Sequence, residues 1–248
     1  MTGGVLEFDV GNTALKWRYR QDGELSSGRQ SSDEASILAL FQRLQPACLR
    51  VSSVASDAQN AVIQRCAERE LLPCSFAVTT ARFGNIENAY EQPSLMGVDR
   101  WLAMIAAARQ FSGNLLVVDI GTALTVDVVR ADGRHLGGYI FPGRRLMRES
   151  LLGGTGRIRY NSDEAPDTAF GKSTAECVEN GAWLAMVSSI EAAWRRAEAL
   201  LEGSVSVVLT GGDAPMLITL ARQPSWVYAA DLVLDGLTVV FESEGGAL

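Results

Sequence analysis

The feature that most constrains this chain is a short pattern that occurs twice. Asp9-Val10-Gly11-Asn12-Thr13-Ala14-Leu15-Lys16 lies near the start. Asp119-Ile120-Gly121-Thr122-Ala123-Leu124-Thr125-Val126 lies near the middle, 110 residues further on. Each follows an apolar run, residues 5–8 and 115–118, of the kind a buried strand provides. Each then offers a carboxylate, a glycine, and hydroxyl or amide side chains. An Asp at a strand end can hold a hard cation. The glycine lets backbone N–H groups approach an anion, and Thr and Asn add donors. Two such loops facing each other suit a metal-bound polyphosphate gripped from both sides.

The stretches between the loops alternate strand and helix. Residues 5–9 predict a strand, and 14–20 pair with it after the Gly-Asn turn. Gln21-Asp22-Gly23 is a hairpin signal. Ser31-Ser32-Asp33-Glu34 opens a helix through Leu44, with serine as the cap and the acids at the positive end of the dipole. Strands are expected at 49–54 and 75–78, around a helix at 57–72. A polar connection spans 80–98, and a helix follows at 101–111. Ser112-Gly113-Asn114 ends it, and strands are expected at 115–119, 123–130 and 135–140. Residues 144–172 read as an irregular surface or site loop. Ser173-Thr174-Ala175-Glu176 is a capping box opening a helix to about Glu202, with Gly203 just past its end. A strand at 205–209, Gly211-Gly212 and a short helix come next. This alternation predicts an α/β fold. The repeat places a domain boundary near 112–114, giving halves 1–113 and 114–248.

Composition narrows the function classes. The 248-residue chain is 47% apolar and carries a net charge of −7. Its arginines are dispersed, with no run longer than two, which argues against a nucleic-acid-binding face. Four cysteines (48, 66, 74 and 177) form no C-x-x-C pair, and His135 is the one histidine, so a zinc site has poor support. Free thiols in a reducing cytosol are the expectation. No apolar stretch reaches the roughly 18 residues of a membrane helix. The N-terminus has no basic region of a cleavable signal. A cytoplasmic location is expected.

A third strand end, Leu209-Thr210-Gly211-Gly212-Asp213-Ala214, has glycines against which a flat base could lie. A tight strand-to-helix turn accounts for it equally well. Gly97-Val98-Asp99-Arg100 lies between the two loops. A carboxylate there can accept a hydroxyl proton. An acid at a helix N-terminus is the structural alternative.

The order DVGNT, GVDR, DIGTA, GGYIFPG, GKST and TGGDA resembles the type III pantothenate kinases (the CoaX family) of the acetate and sugar kinase/Hsp70/actin superfamily. The resemblance runs from Asp9 to about Ala214, and GVDR is its most specific part. It implies two ribonuclease H-like (actin-like ATPase) domains with the active site in the cleft between them. It implies ATP-dependent phosphorylation of the terminal hydroxyl of pantothenate, the first step toward coenzyme A. It also implies residue roles. Asp9 through Lys16 would form the first ATP-phosphate loop, and Thr122 would contact phosphate from the second. Asp119 would ligate a monovalent cation, K⁺ or NH₄⁺. Tyr90, Gly97, Val98, Asp99, Arg100 and Thr174 would contact pantothenate, with Asp99 as proton acceptor. Gly211 and Gly212 would sit by the adenine. Asp9 suits charge compensation by Mg²⁺. The family is dimeric, and the 174–202 helix could be shared between subunits.

Other residues read as structural. His135 is expected to be a strand or turn residue. Trp183 and Trp194 are expected in the core or a subunit interface. Arg144, Arg145 and Arg148 are expected on a solvated loop. Two rival functions remain from sequence. Another small-molecule kinase of the superfamily would not need GVDR. A regulatory factor would fit the early description of some family members as transcriptional accessory factors, but the acidic charge argues against direct DNA binding.

Overall fold

The computed structural model describes residues 3–11, 14–154 and 165–245. Two five-stranded sheets carry the fold. The first contains β1 (Val5–Val10), β2 (Leu15–Gln21), β3 (Glu24–Gln30), β4 (Cys48–Ser53) and β5 (Cys74–Phe76). Helix α1 (Glu34–Leu44) links β3 to β4, and α2 (Asp57–Arg69) links β4 to β5. Short strands β6 (Arg82–Phe83) and β7 (Ile86–Glu87) and a 3-10 turn at Pro93–Leu95 lead to α3 (Val98–Gln110). The second sheet contains β8 (Asn114–Ile120), β9 (Ala123–Val129), β10 (His135–Pro142), β11 (Val205–Thr210) and β12 (Val227–Tyr228). Helices α4 (Arg144–Gly154) and α5 (Thr174–Leu201) precede β11, α6 (Ala214–Ala221) follows it, and α7 (Leu232–Gly245) ends the chain.

The two sheets repeat one order, β3-β2-β1-β4-β5 and β10-β9-β8-β11-β12. In each, the Asp-bearing strand lies between an antiparallel hairpin partner and a parallel neighbour. This is the ribonuclease H-like arrangement, present twice.

The chain packs as two units. Unit 1 is Met1–Gly84, Tyr90–Ala106 and Leu232–Leu248, and unit 2 is Asn85–Ala89 and Ala107–Asp231. The repeat in sequence changes over where β8 begins, but the packing units interleave. Helix α7 belongs to unit 1 because it lies on β1 and β4. Its Gly236 comes so close to α3 that a Cβ there would sit 2.1 Å from the Leu102 carbonyl oxygen.

Apolar burial explains each layer. In unit 1, Leu6, Phe8 and Val10 alternate with Glu7 and Asp9 along β1, and the apolar set meets Ile37, Leu40 and Phe41 of α1. In unit 2, Leu116, Val118 and Ile120 meet Trp183, Met186 and Ile190 of α5. Trp194 joins this core, edge-on to Trp226, with its ring N–H bonded to the Val205 carbonyl at 2.9 Å. Both tryptophans thus pack a core, as expected.

The opposite face of the first sheet is polar and lies under α7. Arg18 Nε donates to buried Glu7 at 2.8 Å, and Arg18 Nη1 reaches Asp235 at 2.5 Å. Thr238 donates to the other Glu7 oxygen at 2.6 Å. Burial works against the Arg18 charge, but the two carboxylates outweigh it and hold the guanidinium pKa above its ordinary value. Removing one member would strand a buried charge, so the network ties α7 to the strand that carries Asp9.

Three local expectations are corrected. Asp33, not a serine, caps α1: the Ser36 N–H donates to its carboxylate at 2.8 Å. Hydrogen bonds with Ser31 and Ser36 lower its pKa to about 2. In the α5 capping box, Ser173 accepts from the Glu176 N–H at 3.1 Å, but Glu176 accepts from the Lys172 N–H rather than from Ser173. Residues 144–154 are helical, not irregular. Arg144 and Arg148, one turn apart, both pair with buried Glu179 of α5, and Arg144 lies over the Trp183 ring. Arg145 pairs with Glu149. Arg144 and Arg148 thus dock α4 onto α5 instead of decorating a solvated loop, while Arg145 stays on the exposed face of the helix. No helix among the described residues is long and apolar enough to cross a membrane.

Candidate active site

In unit 1, the first loop leaves β1 beside two neighbours. Asp9 is half-buried and stands opposite Lys16 on β2 and Ser52 on β4. The Gly11 N–H donates to the Ala14 carbonyl at 3.1 Å and closes the turn. Asn12 and Thr13 lie outside the described residues.

The GVDR segment forms the start of α3. Asp99 sits in the first turn, and its Oδ1 accepts the Arg100 N–H at 2.8 Å. A Cβ at Gly97 would lie 2.6 Å from that same oxygen, so this carboxylate position requires a glycine two residues before it. The same Cβ would lie 3.6 Å from Val54 Cγ1, so α3 begins beside the exit of β4. Thr79 Oγ1 holds the preceding Met96 carbonyl at 2.9 Å. Arg100 is only 6% exposed, and its Nη1 donates to the Tyr90 hydroxyl at 3.0 Å. Val98 is buried. The fold thus gathers Tyr90, Gly97, Asp99 and Arg100 into one cluster. The pairing of Arg100 with Tyr90 spans ten positions that include a 3-10 turn and the start of α3, which no spacing rule predicts.

In unit 2, half-buried Asp119 is the penultimate residue of the equivalent strand β8. Its loop is tighter. Three residues separate the paired Ile120 and Leu124, against four between Val10 and Leu15 in unit 1. The Gly121 N–H donates to Ala123 at 2.9 Å. Two glycines enclose this loop. Gly211 has a left-handed φ of +96°, and a Cβ there would lie 2.4 Å from the Ile120 oxygen and 2.5 Å from Asp119 Oδ1. Gly143 donates its N–H to the Thr122 carbonyl at 3.0 Å, and a Cβ there would lie 2.3 Å from the Gly121 oxygen. Sequence reasoning named Gly211 but gave Gly143 no role. The Pro142-Gly143 pair at a strand end was the available signal. The Asp213 N–H bonds the Ile120 carbonyl at 3.2 Å, which fixes the Gly-Gly turn against the loop. Gly212 and Thr174 are exposed, Thr174 at the first position of α5.

His135 is structural. Its Nδ1 accepts the Ala89 N–H at 3.3 Å, so Nε2 carries the proton toward buried Asp127 at 2.9 Å. The pair anchors the 85–89 segment to β9 and β10.

A family model described as type III pantothenate kinase matches residues 5–196. A type III pantothenate kinase of Alcanivorax borkumensis is 36% identical over 246 residues, covering 94% of this chain and 96% of that protein. One from Marinobacter nauticus is 38% identical over 244 residues, covering 94% and 96%. Among solved structures, a protein of Campylobacter jejuni described as a Baf family transcriptional activator has TM-score 0.61 at 17% identity, covering 97% of this chain and 99% of that one. The ethanolamine utilization protein EutJ of Carboxydothermus hydrogenoformans has TM-score 0.54 at 11% identity, covering 94% and 88%. The structural likenesses show the fold alone. The sequence matches over nearly the whole length show that the chain belongs to the type III pantothenate kinase family, whose reaction is the ATP-dependent phosphorylation of pantothenate that begins coenzyme A synthesis.

Proposed function

We propose that the cluster at the start of α3 holds the acceptor and that Asp99 is its base. The observation that carries this assignment is the carboxylate of Asp99, held by the Arg100 N–H and admitted by the missing Cβ at Gly97. Phosphoryl transfer to an alcohol needs little covalent help: a positioned hydroxyl, a proton acceptor and compensated phosphate charge. Asp99 takes the proton of the pantothenate hydroxyl as its oxygen bonds to the γ-phosphorus and ADP leaves. Arg100, with its guanidinium steadied by Tyr90, suits the carboxylate or amide oxygens of pantothenate. Val98 belongs to the same proposed acceptor site, and Thr174 is proposed as a further acceptor contact.

The first loop, Asp9 to Lys16, and Thr122 of the second take the ATP phosphates, and Gly211 and Gly212 lie by the adenine. Among the described residues, no three acidic, histidine or cysteine side chains gather as a metal cluster. Mg²⁺ takes one or two carboxylates and fills its shell with phosphate oxygens and water, so half-buried Asp9 near a strand end would suffice. Asp9 is the protein ligand in this scheme, and the ion supplies charge neutralisation of the phosphates. Asp119 would hold a monovalent cation, K⁺ or NH₄⁺. A homodimer and a cytosolic location belong to the same proposal. Exposed Tyr139 and Ile140 on edge strand β10 support the dimer, whose mass light scattering measures.

Three outcomes are expected. Asp99→Asn, with folding checked by circular dichroism, should lose about 10²-fold or more in kcat, the range of a general base. Near-normal kcat would remove Asp99 from that role. Gly97→Ala should lower kcat at least tenfold with little change in Tm, because the new methyl displaces the Asp99 carboxylate and not a core side chain. Unchanged kcat would show that the carboxylate position is not needed. Replacing K⁺ by Na⁺ should depress turnover in the wild type and make no difference in Asp119→Asn. Equal wild-type rates in both salts would end the Asp119 cation assignment.

A further inference from the structure

Ser52 is a buried hydroxyl that the described contacts leave without work. It is 0% exposed, and its Oγ has no hydrogen-bond partner among the described residues. Such a group costs free energy comparable to a lost hydrogen bond, so it is retained only where something meets it. Its position in the sheet says what that is. The register of β1 and β4 sets Ser52 directly beside Asp9. Leu49 and Val51 of β4 and Phe8 and Val10 of β1 face the apolar core. Ser52 and Asp9 therefore share the opposite, polar face, at the carboxyl ends of parallel strands about 4.8 Å apart. A serine and an aspartate side chain meet readily across that spacing.

The duplicated unit supplies an internal comparison. Thr210 of β11 stands beside Asp119 in the register that Ser52 has beside Asp9. Thr210 is also buried, but its hydroxyl is already committed to the Ala230 carbonyl at 3.4 Å. Both copies thus keep a hydroxyl next to the loop aspartate, and only in unit 1 is that hydroxyl left over.

We propose that Ser52 is a positioning residue for Asp9. When Mg·ATP is bound, its hydroxyl donates to one oxygen of the Asp9 carboxylate. That bond fixes the rotamer, so the other oxygen faces the phosphates and their cation. The proposal rests on the assignment of Asp9 to the metal–phosphate end of the site.

The test compares Ser52→Ala, Ser52→Thr and Asp9→Asn in nucleotide affinity, kinetics and stability. The probe is Mg²⁺ with a non-hydrolysable ATP analogue, titrated by calorimetry, and urea unfolding follows the nucleotide-free protein. Ser52→Ala should bind the Mg²⁺-loaded analogue about tenfold more weakly, the worth of one hydrogen bond to a charged group. Its KM for pantothenate should not move. Its urea midpoint should stay equal or rise, because an unpartnered buried hydroxyl has been removed. Ser52→Thr, which keeps the hydroxyl, should restore most of the affinity. Wild-type affinity in Ser52→Ala alongside a loss in Asp9→Asn would overturn the Ser52 proposal alone. Wild-type affinity in both would overturn the Asp9 assignment beneath it. A lowered urea midpoint in Ser52→Ala, or no rescue by Ser52→Thr, would make the serine a packing residue and also overturn the proposal.

Discussion

A parallel strand lies beside each Asp-bearing strand, and the placement of the candidate site residues depends on that pairing. Two strands that run the same way finish at the same edge, so the residues that end them become neighbours whatever their distance in sequence. In this way Ser52 is brought beside Asp9, and Thr210 and Gly211 beside Asp119. A parallel neighbour also demands a crossover connection. The crossovers bring their own buried stripes, Ile37, Leu40 and Phe41 on α1 and Trp183, Met186 and Ile190 on α5. The core and the site are therefore consequences of one topological choice. Ligands of open α/β sheets gather at the carboxyl ends of strands for the same reason.

The two copies have diverged in how they treat that edge. In unit 1 the face opposite the core is polar, carries Glu7, Arg18 and Asp9, and lies under α7. Its loop is one residue longer, and α3 starts next to the exit of β4. In unit 2 the loop is shorter and is closed by two glycines whose missing side chains leave no room for anything larger. The longer, polar copy suits a metal-linked phosphate with an acceptor beside it. On the proposed assignment, the tighter copy carries the monovalent cation.

Much of this was legible in the sequence, and the failures have physical causes. Apolar runs ending in Asp-x-Gly identified β1 and β8, because a buried strand needs the run. Asp99 was legible through its neighbours in GVDR, and the structure supplies a reason for the first of them: Gly97 leaves space for the carboxylate. Helix α4 was not legible. Four of its eleven residues are charged, and it is held by Arg144 and Arg148 gripping Glu179, a contact between residues more than thirty positions apart. Helix α7 is rich in β-branched residues around a central glycine, which favours a strand on propensity. Tertiary packing overrides this, since Gly236 is what lets the helix lie against Leu102. Ser52 could not be found at all without the register, because a serine in a strand carries no signal of what stands next to it.

If these residues serve transfer to one acceptor hydroxyl, phosphorus NMR of the wild-type reaction will resolve the product. With ATP, Mg²⁺ and K⁺, one new phosphate monoester on the terminal hydroxyl of pantothenate is expected for each ADP formed, and almost no ADP when pantothenate is left out. ADP released at the same rate without pantothenate, or inorganic phosphate as the main product, would contradict it.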